Sequence, residues 1–98
     1  MKLKIRAQNR SLDRHPFIAV AYDRAAMNYK KKLVEVTRIE APGGDPGEWL
    51  DLEVDWPTPE FPPGQLIWKA PPAHSLVWHL ESFTFEGRPM IAGPGMFA

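Results

Sequence analysis

Apolar and charged residues alternate strictly over residues 2–8. Leu3, Ile5 and Ala7 fall on one side, and Lys2, Lys4 and Arg6 on the other. A period of two belongs to a pleated strand with one face buried, so this segment is read as a half-buried strand. The same alternation returns over residues 49–56. Leu50, Leu52, Val54 and Trp56 share one face there, while Trp49, Asp51, Glu53 and Asp55 share the other. Phe17-Ile-Ala-Val-Ala-Tyr22 is an apolar run without turn residues, which predicts a central strand buried on both faces. Leu33 to Glu40 is rich in β-branched residues and is read as a further strand. Ala41-Pro-Gly-Gly-Asp-Pro-Gly47 is a turn cluster. On this pattern residues 33–40 and 49–56 are expected to form a hairpin with a long glycine-rich loop.

The rest of the chain is less regular. Asn9 to Pro16 is polar and ends in proline, so it is read as a loop. Asp23 offers an N-cap, and Arg24 to Lys31 is read as two helical turns, with a loop or a strand continuation as the alternative. Pro57-Thr-Pro-Glu-Phe-Pro-Pro-Gly64 is a rigid connector with no room for a helix. Gln65 to Ala70 is expected to be a short strand that Pro71 and Pro72 terminate. Residues 73–86 read two ways. Leu76, Leu80 and Phe83 have helical spacing behind Pro72, yet Ser82-Phe-Thr-Phe-Glu86 is strand-like. A turn at Glu86-Gly87 then leads into a last strand, which Pro89 assigns to a sheet edge. The apolar tail Met96-Phe97-Ala98 is expected to dock on the core or on a partner.

These segments add up to one compact domain over residues 1–98. It is mainly β, a small antiparallel sheet or sandwich with at most one or two short helices, and α+β is the alternative. Composition supports this. Hydrophobic residues make up 44% and charged residues 24%, so a packed core is available. Eleven prolines fit stiff loops between short strands, because the long apolar runs argue against disorder. Cysteine is absent, which removes disulfides, thiolate nucleophiles and cysteine-based zinc sites. The alternating N-terminus does not look like a classical signal peptide, and no apolar run reaches the roughly 18 residues of a membrane helix. A cytoplasmic location, or incorporation into an assembly, is expected, with no membrane contact.

Charge changes the picture more than composition does. Net charge is zero. Residues 1–38 nevertheless carry ten basic and three acidic side chains, a net of +7, and residues 39–98 carry two basic and nine acidic ones, a net of −7. The two halves are therefore expected to pair within the fold. Asp51, Glu53 and Asp55 repeat the spacing of Lys2, Lys4 and Arg6 with opposite sign, so strand 2–8 is predicted to lie beside strand 49–56.

The chemistry a sequence can announce is sparse. Three strand carboxylates (Asp51, Glu53, Asp55) have the oxygen ligands a hard cation wants, which makes a metal-dependent hydrolase or nuclease one reading. No lysine follows in the pattern such sites use, and no base occurs from Ala41 to Ile67, so no metal site and no cofactor are assigned. His74 and His79 are five apart, on opposite faces of a strand or about 140° apart on a helix, and His15 sits in a loop, so the histidines make no zinc site. No nucleophile elbow is present, and no catalytic residue is assigned. Arg24 with Lys30, Lys31 and Lys32, near Tyr22 and Tyr29, forms a candidate nucleic-acid patch. Neutrality of the whole chain disfavours it. Pro59-Glu-Phe-Pro62 has the spacing of a polyproline ligand but no flanking base, so it is read as a stiff loop carrying Phe61 toward the core.

The favoured function is therefore non-enzymatic: a protein-binding or structural module that contacts another protein or a second copy of itself. Its expected contact residues are Trp49, Asp51, Glu53, Asp55 and Phe61. Small accessory proteins of viruses and mobile elements, acting as assembly components or as inhibitors of host factors, share this profile. That is a likeness of profile and not of motif. Six acids between Asp45 and Glu60 also suit a surface that mimics nucleic acid in a partner's basic groove. Nucleic-acid binding through the basic half is the alternative from another class.

Overall fold

The computed structural model describes residues 2–24, 35–57, 59–92 and Phe97. The fold is mainly β, and no helix of seven or more residues occurs among the described residues. The strands are β1 (Lys2–Asn9), β2 (His15–Asp23), β3 (Glu35–Gly44), β4 (Trp49–Asp55), β5 (Leu66–Lys69), β6 (Trp78–Phe85) and β7 (Arg88–Pro89). They form two antiparallel sheets, a four-stranded one in the order β4-β1-β6-β7 and a three-stranded one in the order β3-β2-β5.

The alternating strands explain the layering. On β1, Leu3, Ile5 and Ala7 are buried while Lys2 and Lys4 are exposed. The apolar residues of β1 meet Phe17, Ala19 and Ala21 of β2 and Leu66 and Trp68 of β5 in one core cluster. Each sheet therefore gives one face to the other. Aromatic contacts span the gap. Trp68 lies 5.2 Å from Phe83, and Phe17 meets Trp78 edge-on at 5.5 Å. The docked tail is represented by Phe97, which stacks on Phe17 at 6.4 Å. β2 is the central strand of its sheet, and Val20 on its other face is also buried, so the apolar run is covered on both sides at its centre.

The predicted pairing of β1 with β4 is present. Lys2 faces Asp55, Lys4 faces Glu53 and Arg6 faces Asp51. The expected hairpin between residues 33–40 and 49–56 is not formed. β3 pairs with β2 and β4 with β1, so the two strands lie in different sheets. Charge and pattern explain the difference. Among the described residues, the acids of β4 pair with bases of β1, while Arg38 of β3 is already compensated by Glu35 and Glu40 on its own strand. The glycine-rich segment thus becomes a crossing between layers. It is also shorter than its composition suggests. β3 runs through Ala41-Pro-Gly-Gly44, and only Asp45 to Gly47 turn. Gly44 has to be a glycine because a Cβ there would lie 2.8 Å from the Trp78 ring.

Other boundaries moved as well. Asn9 and His15 belong to strands and not to the loop between them. Pro16 is tolerated in β2 because the register with β3 shifts between His15 and Phe17. Residues 73–86 contain no long helix. Pro72–His74 is a single 3-10 turn, Leu76 then takes a positive φ of 62°, and β6 follows. The helical spacing of Leu76, Leu80 and Phe83 is coincidental: Leu76 is exposed and Phe83 is buried. The turn at Glu86-Gly87 is present, with positive φ at both residues, as a tight hairpin between twisted strands requires. Pro89 sits on the edge strand β7. The proposed helix over Arg24 to Lys31 falls, apart from Arg24, outside the described residues.

Among the described residues, one polar side chain is fully buried. Asn9 Nδ2 donates to the carbonyls of Asp13 and Gly44, both at 2.9 Å, and Oδ1 accepts from Ser11 N and Ser11 Oγ. All four hydrogen-bonding positions of the amide are used. Asn9→Ala is expected to lower stability by about 2–3 kcal/mol, because it strands the buried Gly44 carbonyl and empties the buried site the amide fills. Asn9→Asp should cost at least as much despite equal volume, since a carboxylate cannot donate to those carbonyls. Urea denaturation checks this. An Asn9→Asp variant as stable as wild type would show that volume, and not donation, is what the site requires.

Candidate functional site

Two surfaces on the four-stranded sheet bear on function: its outer charged face, and an apolar groove beyond the ends of β4 and β6. The charged face is built by register. Lys2 Nζ lies 2.8 Å from Asp55. Arg6 Nη1 donates to Asp51 at 2.7 Å and its Nε donates to Glu81 at 2.9 Å. Its guanidinium also covers the Trp49 ring, 4.5 Å from the centroid. Glu81 reaches this position through an irregularity of β6, where the pairing with β1 shifts between Arg6 and Ala7. No alternation in the sequence announces that bulge, so Glu81 was not legible as a partner of Arg6.

The acid ladder is thus largely spoken for. Asp51 and Asp55 each hold a cation, and Glu53 faces Lys4. Among the described residues, no group of three or more metal-ligating side chains converges. The arrangement offers a divalent cation no cage of free carboxylates, so the hydrolase reading gains no geometry. Trp49 is 41% exposed, on the acid side of β4 as its position in the alternation implies. Of the basic patch, Arg24 donates to the Gly64 carbonyl at 3.1 Å, and Lys30, Lys31 and Lys32 lie outside the described residues. His15 and His74, 59 positions apart, meet edge-on at 5.6 Å. Nothing in their spacing predicts this contact.

The groove is where the proline connector leads. Trp56, the last apolar residue of the β4 alternation, is half-buried and packs on Phe85 at 4.8 Å. The connector returns over this pair. Asp55, Trp56, Pro59, Glu60, Phe61, Pro62, Pro63 and Phe85 enclose an open hollow of about 580 Å³. A second hollow of about 670 Å³ continues from it past Gly64 toward Arg88, Pro89, Met90 and Ile91, and shares Pro62, Pro63 and Phe85 with the first. The 3-10 turn Pro63–Gln65 ends the connector and starts β5. Phe61 therefore joins the core edge as expected, while Trp56 and Phe85 beside it were read only as core and strand. Neither Trp49 nor the rest of the acid ladder above Asp55 lines this groove.

Compared with known proteins, the chain shows no significant match to any family model, curated protein or solved structure.

The Lys2–Asp55 pair sits at the mouth of the groove and makes a titration prediction. The hydrogen bond from Lys2, and then its charge, hold the Asp55 carboxyl below the ordinary aspartate value. The same bond raises the Lys2 ammonium. A lowered carboxylate contributes stability above its unfolded pKa and loses it as pH falls through the folded value. A raised ammonium contributes below its unfolded pKa and loses it as pH rises through the folded value. The pair is therefore intact across neutral pH and opens at both extremes. Carboxyl ¹³C titration should place Asp55 below an ordinary aspartate in the wild type and restore it to the ordinary range in Lys2→Met. An unchanged midpoint in the variant would rule out the ion pair in solution.

Proposed function

We propose that this protein is a non-enzymatic binding module that captures an extended, proline-containing segment of a partner protein in the groove between the connector and the β6–β7 hairpin. The observation that carries the reading is the groove itself. Three aromatic rings (Trp56, Phe61, Phe85) and the prolines Pro59, Pro62, Pro63 and Pro89 line two adjoining hollows. Flat rings and pyrrolidines are surfaces on which extended polyproline-type chains dock, because such chains have little conformational freedom left to lose. Prolines on the module's own side fix the groove before binding and lower its ordering cost too. Length favours an extended segment over a compact small molecule, since the two hollows are open and adjoin at Pro62, Pro63 and Phe85.

The rim indicates the partner's charge. Among the described lining residues, the acids Asp55, Glu60 and Glu86 stand against one base, Arg88. Lys2 already neutralises Asp55, which leaves Glu60 and Glu86 to receive a lysine or arginine of the partner. Such rim charges steer encounter and choose among partners more than they add affinity. The nucleic-acid alternative draws no comparable support: of its four basic residues only Arg24 is described, and its guanidinium is engaged with Gly64.

Selection from a displayed random-peptide library tests the reading. Selected peptides should share prolines with a flanking base. Their affinity should fall about tenfold or more for Phe61→Ala, the loss that follows from removing one well-packed aromatic. Glu60→Lys, which leaves the core untouched, should weaken peptides that carry the flanking base. Near-UV circular dichroism checks that each variant is folded. A selection that yields no binder, or binders indifferent to both variants, would overturn the proposal.

A further inference from the structure

Four strand edges bound the two sheets among the described residues, and three of them are guarded. β7 has two residues, one of them Pro89, which has no N–H to offer. β5 is covered by the chain that follows β7. Trp68 N donates to the Ile91 carbonyl at 2.9 Å, and Trp68 forms a parallel bridge with Ala92. β4 is long and open, but its outer face carries Asp51, Glu53 and Asp55. Two copies paired antiparallel through β4, with their strand centres overlapping, would set acid against acid.

β3 is different. No described strand lies on its side away from β2. Its regular run is Thr37 to Ala41, bounded by register shifts at both ends, and Ile39 is the midpoint. Arg38 and Glu40 flank that midpoint, both exposed and on the face opposite the buried Ile39. Consider two copies joined edge to edge about a two-fold axis. An axis through Arg38 opposes two arginines, and one through Glu40 opposes two glutamates. An axis through Ile39 sets Arg38 against Glu40 of the second copy, twice by symmetry, and overlaps the whole regular run with itself. A shift by one residue would turn the core face outward.

We propose that two copies of this chain associate through β3, antiparallel and centred on Ile39, to make one continuous six-stranded sheet. The strand's N–H and C=O groups that point away from β2 supply the hydrogen bonds, and the Arg38–Glu40 pairs select the register. Within one copy, Arg38 holds Glu40 at 3.4 Å and binds Glu35 more closely, so the charged side chains already lie over this stretch of strand. The surface is separate from the groove, and neither proposal depends on the other.

Sedimentation velocity across micromolar to millimolar concentrations tests it. Wild type should show a reversible monomer–dimer equilibrium. R38E and E40R, each placing like charges across the axis, should each weaken self-association about tenfold or more. An equimolar mixture of R38E and E40R chains should recover it, and so should the double variant R38E/E40R. Circular dichroism verifies folding, and peptide binding in the groove should survive R38E. A wild type that stays monomeric at the highest concentration overturns the proposal. So does a dimer that ignores both single variants, or one that neither the mixture nor the double variant restores.

Discussion

The buried amide of Asn9 is the constraint on which the arrangement of the two sheets depends. It stands at the end of β1, where the chain has to leave one layer for the other. Its side chain ties the end of β3 at Gly44 to the loop at Ser11 and Asp13. Its backbone does the same for the turn: Asn9 N donates to the Glu48 carbonyl, and the Asn9 carbonyl accepts from Gly47 N. The crossing from β3 to β4 is therefore held at a fixed point, and β4 enters beside β1 with its register already chosen. Trp78 completes this end. It pairs with Asn9 across β1 and β6, donates from Nε1 to the Pro16 carbonyl, and leaves no room for a side chain at Gly44. A buried polar group that can bond in only one arrangement excludes the others at a cost that apolar packing does not impose.

The charge split along the chain is resolved by the same register. Basic β1 lies between acidic β4 and the stretch of β6 that carries Glu81, and Arg6 is shared among Asp51, Glu81 and the Trp49 ring. These pairs are exposed, and exposed ion pairs contribute little to stability. Their effect is on choice. A slip of β4 by two residues along β1 would leave an acid or a base at each end without its opposite, and a slip by one would expose the apolar face. β3 carries its compensation within itself, which is why it gains nothing by pairing with β4.

Several elements were legible because they rest on local pattern. The alternation over 2–8 and 49–56 fixed which residues face inward, and the matching charge spacing fixed which strands are neighbours. The Glu86-Gly87 turn and the edge position of Pro89 follow from backbone chemistry alone. What was not legible rests on distant contacts. Gly44 read as a turn residue, yet it ends a strand, and Trp78, more than thirty positions away, occupies the space where its side chain would stand. Leu76 read as a helix-face residue, yet it is an exposed leucine held at positive φ. The groove was half visible: the stiff connector and Phe61 were read, but Phe85 joins them only through the pairing of β6 with β1 opposite Leu3.

The two ends of β1 thus have opposite characters. At Asn9 the side-chain amide is fully bonded and the rings of Phe17 and Trp78 are buried. At Lys2, seven residues and about 23 Å along the strand, Trp56 and Phe85 remain half-buried beneath prolines. A small domain has limited apolar area with which to fix all its loops. Here the buried network fixes one end, and at the other the connector's own prolines limit its conformations without help from core contacts. Aromatic surface can then stay open at the groove without the loop around it collapsing, because fixed φ angles replace the packing that would otherwise have to close over the rings. The same economy governs the edges, where proline guards β7, like charge guards β4 and the returning chain covers β5. Among the described edge strands, β3 alone combines a regular run with charges that complement their own reflection about its midpoint, Ile39.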